Sequence, residues 1–150
     1  MAEYLTFTVG LEEYAIDILC VQEIRAYEAP TMIANTPSFI KGVMNLRGTI
    51  IPIVDLRIKF NLPKVEYTPF TVIMVLNIKS RIIGVVVDSV SDVISISKAD
   101  IKPAPEFVSN FDIKYIVGLA CFEERMLVVC DIEQLMTSAE MELTNESAKS

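Results

Sequence analysis

The sequence predicts an all-β protein built from two similar small barrels. Its 150 residues form short runs rich in Val and Ile, which are separated by turn residues rather than arranged at helical spacing. A hairpin pattern also recurs four times: a strand, a polar turn, a second strand and an aspartate. Because a hairpin with one apolar face must close or stack to bury that face, two pairs of hairpins indicate two barrels.

The four copies of the hairpin pattern end at aspartates in equivalent places. Glycines at the first two turns, Gly10 and Gly48, support the assignment because glycine lacks the Cβ that restricts tight turns. We expect each aspartate to cap a short helical turn that follows it, rather than to belong to an acidic catalytic set. The aspartates are Asp17, Asp55, Asp88 and Asp131.

Two further features refine the elements. Pro52 lies inside an apolar run and predicts an edge or bulged strand there, because proline cannot donate a hydrogen bond to a sheet. Asp131 and Gln134 resemble a capping box, and the apolar residues that follow Asp131 have helical spacing. We therefore expect a C-terminal helix and polar tail over residues 132–150.

The composition excludes several classes of function. The chain has no histidine, which removes the commonest general base and metal ligand, and its five glycines form no phosphate-binding loop. The net charge of −7 argues against nucleic acid as a partner. We therefore predict a non-catalytic protein without metal or other cofactor.

The cysteines and the apolar runs predict a cytoplasmic location. Cys20, Cys121 and Cys130 are odd in number and widely spaced, so we expect free thiols that act as small buried hydrophobes. The N-terminus lacks a signal peptide pattern, and no apolar run approaches the length that spans a bilayer. We therefore predict a protein that is neither exported nor inserted in a membrane.

Arg47 is the most informative charged residue, because it stands between an apolar strand and a glycine. It could be an ordinary solvated turn residue. It could also use its guanidinium fork to bind carboxylates or carbonyls in a cleft, as arginines at binding hot spots do. Composition leaves both interpretations open.

Three blocks of this sequence, in their order and spacing, resemble the CheW coupling proteins of bacterial chemotaxis. The blocks are NTPSFIKGVMNLRGTIIPIVDLR, GVVVDSVSDV, and YIVGL followed by RMLVVCDIEQLM. The resemblance covers about residues 4–143 and implies one CheW-like domain over 1–150, made of two intertwined five-stranded SH3-like barrels with short helices. The first barrel is expected at about 11–68, and the second at about 69–136 with the strand 4–10.

The resemblance implies a non-catalytic adaptor that couples methyl-accepting chemoreceptors to the histidine kinase CheA. The receptor tip would bind in the groove between the barrels, and a barrel end would bind the kinase regulatory domain. The protein would be recruited to the inner face of the membrane through receptor complexes. The receptor-binding pattern falls on Val21, Glu23, Gly42 and Arg47. The expected kinase-binding residues are Met32, Ile33, Lys102 and Phe107.

Two alternatives remain open on sequence alone. One is a small β-barrel ligand-binding module or enzyme that uses the same inter-barrel groove, which would require convergent polar or titratable groups there. The other concerns Arg47, which could tie the two barrels together instead of binding a receptor.

Overall fold

Strands dominate the computed structural model, which describes residues 2–35, 38, 40–59, 62, 65–103 and 115–136. The expected all-β class is confirmed. The strands are β1 Ala2–Val9, β2 Glu12–Asp17, β3 Val21–Ala26, β4 Ile40–Leu46, β5 Thr49–Asp55, β6 Val72–Ile78, β7 Arg81–Val87, β8 Ser89–Ile96, β9 Ile101–Lys102, β10 Ile116–Phe122 and β11 Arg125–Cys130. The helices are α1 Leu56–Lys59, α2 Ile132–Met136 and the 3₁₀ turns Ile18–Cys20 and Lys98–Asp100.

The strands form two sheets that exchange strands with each other. Sheet A has the order β8-β1-β2-β11-β10-β9, and sheet B has the order β3-β6-β7-β5-β4. The hairpin β1–β2 belongs to sheet A, but the next strand, β3, pairs with β6 of sheet B. Reciprocally, the hairpin β6–β7 belongs to sheet B, and β8 returns to pair with β1. Because each sheet takes a strand that follows a hairpin of the other sheet, the two sheets are intertwined, as expected.

The strand pairing divides the chain differently from the expected barrel boundaries. Sheet B consists of strands from residues 21 to 87, with none from the first hairpin. The boundaries at 11–68 and 69–136 instead assign β2 to the first barrel and β6 and β7 to the second. The repeat spacing could not reveal this, because strand exchange puts sequence neighbours into different sheets.

The two halves of the fold repeat each other closely in the hairpins β4–β5 and β10–β11. Gly42 opposes Ile53 after a bulge in the first hairpin, and Gly118 opposes Val129 after a bulge in the second. The second strand of each hairpin also forms a parallel pair within its sheet: β5 pairs with β7, and β11 pairs with β2. An offset of 76 residues therefore relates the two hairpins, as the pairs 42/118 and 53/129 give 118 − 42 = 76 and 129 − 53 = 76.

The buried apolar side chains form three clusters, of which the largest joins the two sheets. The largest lies between the sheets and takes side chains from both, including Phe7 and Tyr14 of sheet A and Met74 and Leu76 of sheet B. The opposite face of each sheet buries a smaller cluster of its own. Both faces of the central strands are therefore buried, which explains why β6 and β7 are almost continuously apolar instead of alternating.

The structure corrects the prediction for Pro52. Its strand β5 lies between β4 and β7 and is therefore not an edge strand. The pairing of β5 with β7 begins only at Ile53, one residue after the proline. Pro52 consequently faces no β7 partner at the position where it lacks an N–H group.

The prediction for the four aspartates is partly wrong. Asp17 accepts a hydrogen bond from the Leu19 N–H, and Asp131 accepts one from the Gln134 N–H. Asp55 accepts one from the Arg57 N–H at the start of α1, so these three aspartates cap the turns that follow them. The expected C-terminal helix begins after Asp131 as α2, and residues 137–150 lie outside the described part of the chain. No helical turn follows Asp88, because β8 starts at the next residue.

Candidate functional site

Glu23 and Arg47 are brought together by the fold. Arg47 Nη2 lies 3.0 Å from Glu23 Oε1 and donates to it, and Nη1 lies 3.4 Å from Oε2. Arg47 sits in the β4–β5 turn at a φ of 50°, and its side chain is 63% exposed, against 29% for Glu23. The pair is thus a two-point ion pair at the surface, with the arginine accessible to a partner protein.

The same ion pair reveals the curvature of sheet B. Glu23 lies on β3 and Arg47 follows β4, and these strands are at opposite edges of the sheet order. A separation of 3.0 Å between their side chains requires the sheet to curl until its edges meet. Of the two roles left open for Arg47, a tie between the barrels does not match this pairing, because Glu23 belongs to the same sheet.

Val21 and Gly42 are placed apart from the ion pair. Val21 begins β3 and packs against the cluster between the sheets. Gly42 has a φ of 143°, and a Cβ atom there would lie 1.9 Å from the Thr31 carbonyl oxygen. Thr31 and Val43 exchange two backbone hydrogen bonds at this point. The structure therefore gives Gly42 a backbone reason to be glycine: it lets the segment before Met32 lie directly against β4.

Of the expected kinase-binding residues, Met32 lies beside sheet B and Lys102 lies on sheet A. Met32 is 84% exposed and follows the bridge between Thr31 and β4 of sheet B. Lys102 is exposed on β9 of sheet A, where its ammonium donates to the Ala99 carbonyl. Ile33 is partly buried, and Phe107 lies outside the described residues. The two halves of the fold are alike here as well, since Thr31 lies against Gly42 as Lys102 lies against Gly118, although Thr31 and Lys102 are 71 residues apart and not 76.

A recess of about 190 Å³ lies beside Arg47 and is lined by Gln22, Leu46, Thr49, Ile51 and Ile82. Sites for small organic ligands usually enclose about 300–1,000 Å³ and contain several convergent polar groups. Arg47 is the only titratable residue in this lining. The geometry around Arg47 therefore suits a partner's side chain better than a substrate.

A buried arginine was missed by the sequence analysis. Arg57 of α1 is 1% exposed, and its Nε and Nη2 donate to the two oxygens of Asp55 at 3.0 and 2.9 Å. Nη1 donates to Asp88 Oδ1 at 3.1 Å and to the Glu66 carbonyl at 2.6 Å. The Tyr67 ring covers the guanidinium at 4.8 Å. The available signal was an arginine two residues after a repeat aspartate, inside an otherwise apolar segment.

Charges and burial oppose each other at this cluster. Burial acts to lower the pKa of Arg57, but the hydrogen bonds and charge of Asp55, then those of Asp88, outweigh it and raise the pKa. Burial, followed by the charge of Asp55, raises the pKa of Tyr67. The arginine is therefore a permanent cation, and Tyr67 remains able to donate its hydroxyl hydrogen to Asp55 at 3.2 Å.

A second arginine closes the end of the sheet A barrel. Arg125 Nη2 lies 2.7 Å from Glu13 Oε2 and 3.3 Å from Asp92 Oδ1. Thr6, which is fully buried, donates to Asp92. Hydrogen bonds from Arg125 and Thr6 lower the pKa of Asp92 below its usual value. These four residues come from four consecutive strands of the sheet, so the network holds the edge strand β8 in place.

The three cysteines differ in exposure. Cys130 is buried and Cys20 is partly buried in the cluster between the sheets, but Cys121 is exposed, which corrects the expectation that all three are buried. Burial raises the pKa of the Cys130 thiol well above its usual value.

Among the described residues, no group of His, Cys, Asp or Glu could hold a metal ion. Within the same residues, no helix is long and apolar enough to cross a membrane.

Comparison with known proteins agrees with this architecture. Residues 3–140 match the CheW-like domain family. The chain belongs to the CheW family. It is 55% identical to the chemotaxis protein CheW of Klebsiella aerogenes over 148 residues, which cover 99% of this chain and 89% of that protein. It is also 33% identical to CheW of Bacillus subtilis over 132 residues, or 88% and 85% of the two chains.

A solved structure supports the same assignment. The scaffolding protein TtCheW from Thermoanaerobacter tengcongensis aligns with a TM-score of 0.82 and 31% identity, over 93% of this chain and 90% of that chain. The CheW-like two-sheet fold is therefore confirmed. As a CheW-family protein, the chain is a non-catalytic chemotaxis adaptor, and the expectation that it is not an enzyme is confirmed by these relatives.

Proposed function

We propose that this protein couples the cytoplasmic tips of methyl-accepting chemoreceptors to the regulatory domain of the histidine kinase CheA. The carrying observation is the Glu23–Arg47 ion pair, which joins two of the four expected receptor-binding residues across the closed edges of sheet B. In this function the protein is cytoplasmic and is recruited to the inner face of the membrane through receptor complexes. It binds no nucleic acid and does not insert in the bilayer.

The receptor side of the proposal centres on Arg47. An exposed guanidinium that pairs with Glu23 through Nη1 and Nη2 can use its remaining N–H groups to bind a carboxylate or carbonyl of a receptor helix as well. Val21 supports the strand that carries Glu23, and Gly42 sets the position of the neighbouring segment. Val21 and Gly42 would thus act on receptor binding by positioning backbone.

Substitution of Arg47 tests the receptor side. An exposed ion pair contributes at most about 1 kcal/mol, so Arg47→Ala should melt within a few degrees of the wild type. Arg47→Lys keeps the charge but loses the two-point geometry, and both variants should reduce receptor-dependent kinase activation. The assay is kinase autophosphorylation with receptor-containing membranes, alongside thermal melting of each variant.

A matched control is Arg125→Lys, which alters an arginine of comparable chemistry at the end of the other barrel. It should leave activation at the wild-type level. Full activation by Arg47→Ala, combined with normal melting, would remove Arg47 from the functional site. Equal losses in the Arg47 and Arg125 variants would mean that the effect is not specific to the receptor side.

The kinase side of the proposal involves Met32 and Ile33 beside sheet B and Lys102 on sheet A, together with Phe107, which lies outside the described residues. Met32 is a large exposed apolar side chain, the type that is favoured where partners exclude water. Met32→Glu should weaken co-sedimentation with the kinase. Leu19→Glu is the control, because Leu19 is equally exposed at 87% on the 3₁₀ turn between β2 and β3.

Lys102 is tested in the same way against Lys98, an exposed lysine of the preceding 3₁₀ turn. Lys102→Glu should weaken kinase binding while Lys98→Glu leaves it unchanged. If each charge reversal weakens binding to the same extent, the contribution is long-range electrostatics of an acidic protein and not a contact at Lys102.

A further inference from the structure

We infer that Arg57 is a positioning residue that fixes the placement of sheet B relative to sheet A. We name the set Asp55, Arg57, Asp88, Tyr67 and the Glu66 carbonyl the Arg57 clasp. The inference concerns geometry within this chain, and only its consequence for signalling rests on the proposed coupling function.

The clasp lies where the chain leaves one sheet for the other. Asp88 separates β7 of sheet B from β8 of sheet A. One of its carboxylate oxygens accepts from Arg57 at 3.1 Å, and the other accepts from the Gly10 N–H at 2.7 Å. Gly10 belongs to the β1–β2 turn of sheet A, so a single carboxylate joins the buried arginine of one sheet to a turn of the other.

The remaining donors of Arg57 hold pieces of sheet B. Its contacts with Asp55 anchor the end of β5, and its contact with the Glu66 carbonyl anchors the segment before β6. The Tyr67 ring lies on the guanidinium and stacks on Tyr27, with ring centroids 4.4 Å apart. One side chain therefore holds three chain segments together. The relative position of these segments determines how sheet B is placed against sheet A.

The other half of the molecule offers a natural comparison. The 76-residue relation makes Glu133 the counterpart of Arg57, because Asp131 is the counterpart of Asp55. Glu133 also reaches across to the other sheet, through an ion pair of 3.1 Å with Lys79 in the β6–β7 turn. That pair is largely exposed, with side chains 48% and 66% accessible. In the clasp, Arg57 and Asp55 are 1% and 0% accessible, and Asp88, which contacts sheet A, is 36% accessible.

The difference in burial decides which junction is rigid. An exposed ion pair is screened by water and salt and restrains little. A buried guanidinium cannot exchange its partners for water without a large desolvation cost, so its partners are held in one arrangement. The Arg57 clasp therefore restrains the two sheets relative to each other, whereas the Lys79–Glu133 ion pair can break and be replaced by contacts with water at little cost.

The test measures the distance between the sheets directly. Spin labels at Cys121 of sheet A and at Ile50→Cys of sheet B report the inter-sheet distance, in a background where Cys20 is replaced by Ser. Labels at Cys121 and Val93→Cys, both on sheet A, report a distance within one sheet. Pulsed electron resonance then gives both distance distributions.

Two variants perturb the clasp to different degrees. Asp88→Asn removes the charge that links Arg57 to the crossing while leaving the buried Asp55–Arg57 pair intact, so it is the variant expected to fold. Arg57→Lys removes the planar fork. Both variants should broaden the inter-sheet distance distribution and leave the distribution within sheet A unchanged. The control Glu133→Gln should leave both distance distributions unchanged.

Receptor-dependent kinase activation should fall by about fivefold or more in the two clasp variants, which is the low end of the usual coupling between sites.

An unchanged inter-sheet distribution in Asp88→Asn would overturn the inference, as would equal broadening in Glu133→Gln. The distance measurement needs neither receptor nor kinase, so it decides on the clasp even if the coupling proposal fails. If the distribution broadens and activation stays at the wild-type level, the clasp positions the sheets but does not serve signalling.

Discussion

Replacing Gly42 with alanine gives the sharpest test of how the fold places its binding segments. A Cβ atom at this position would overlap the Thr31 carbonyl oxygen at 1.9 Å, so the segment that contains Thr31 must move away from β4. The movement breaks two hydrogen bonds between Thr31 and Val43, of 2.9 and 2.8 Å. Met32, one residue further along, moves with it.

The expected loss of stability follows from these contacts. Losing the two hydrogen bonds costs about 1–3 kcal/mol. The φ of 143° disfavours alanine and adds about 1–2 kcal/mol. The sum is about 3 kcal/mol, which lowers the melting temperature of a chain of this size by about 6–12 °C.

Gly48→Ala is the control, because this glycine also has a positive φ, 90°, but has open space where a Cβ atom would lie. Only backbone strain applies there, so its loss should be about 1 kcal/mol. Urea unfolding measures the free energy of unfolding of both variants, provided that its dependence on urea concentration has the same slope as in the wild type, and thermal melting gives the melting temperatures. If Gly42→Ala is no less stable than Gly48→Ala, the close approach to Thr31 does not determine the choice of glycine, and the explanation for Gly42 is refuted.

Three further outcomes are expected. Asp92 has a lowered pKa in the folded protein, so its contribution to stability is complete above the pKa of the unfolded chain and is lost as the pH falls through the lower folded-state value. The stability of Asp92→Asn should therefore depend less on pH below about pH 4, as acid unfolding would measure. Cys121 should react quickly with a thiol reagent, whereas Cys130 should react only at the rate of unfolding; comparable rates would contradict the burial. Leu76→Ala, in the cluster between the sheets, should lower the unfolding free energy by about 2–5 kcal/mol, and a loss below 1 kcal/mol would place it outside the core.

The hairpins could be predicted from the sequence because their signals are local. Turns at Gly10 and Gly48 have positive φ, as expected. The other two hairpin turns, Lys79–Ser80 and Glu123–Glu124, contain no glycine, yet both of their residues adopt positive φ. A tight turn between two strongly apolar strands is imposed by the burial of those strands, which outweighs the local preference of the turn residues.

The exchange of strands could not be predicted, because it depends on which sheet a strand joins and not on its own pattern. β3 alternates exposed and partly buried residues and would fit either sheet as an edge strand. The pairing of Glu23 with Arg47 is likewise a product of closure, since the two residues are 24 positions apart in sequence and lie at opposite edges. Arg57 was missed for the related reason that its partner Asp88 is far away along the chain.

Strand exchange has a mechanical consequence for an adaptor. β3 carries Glu23 and is hydrogen-bonded into sheet B, but the three-residue 3₁₀ turn Ile18–Cys20 joins its N-terminal end to β2 of sheet A. A partner that displaces β3 therefore acts on both sheets, one through backbone hydrogen bonds and the other through the chain itself. A receptor can change the kinase only if its contacts differ between signalling states and the adaptor transmits the difference. If Arg57 fixes the sheets at Asp88, as we infer, a displacement of β3 is not absorbed at that crossing. It is then passed on to the segments that carry Met32 and Lys102, the residues that we propose bind the kinase.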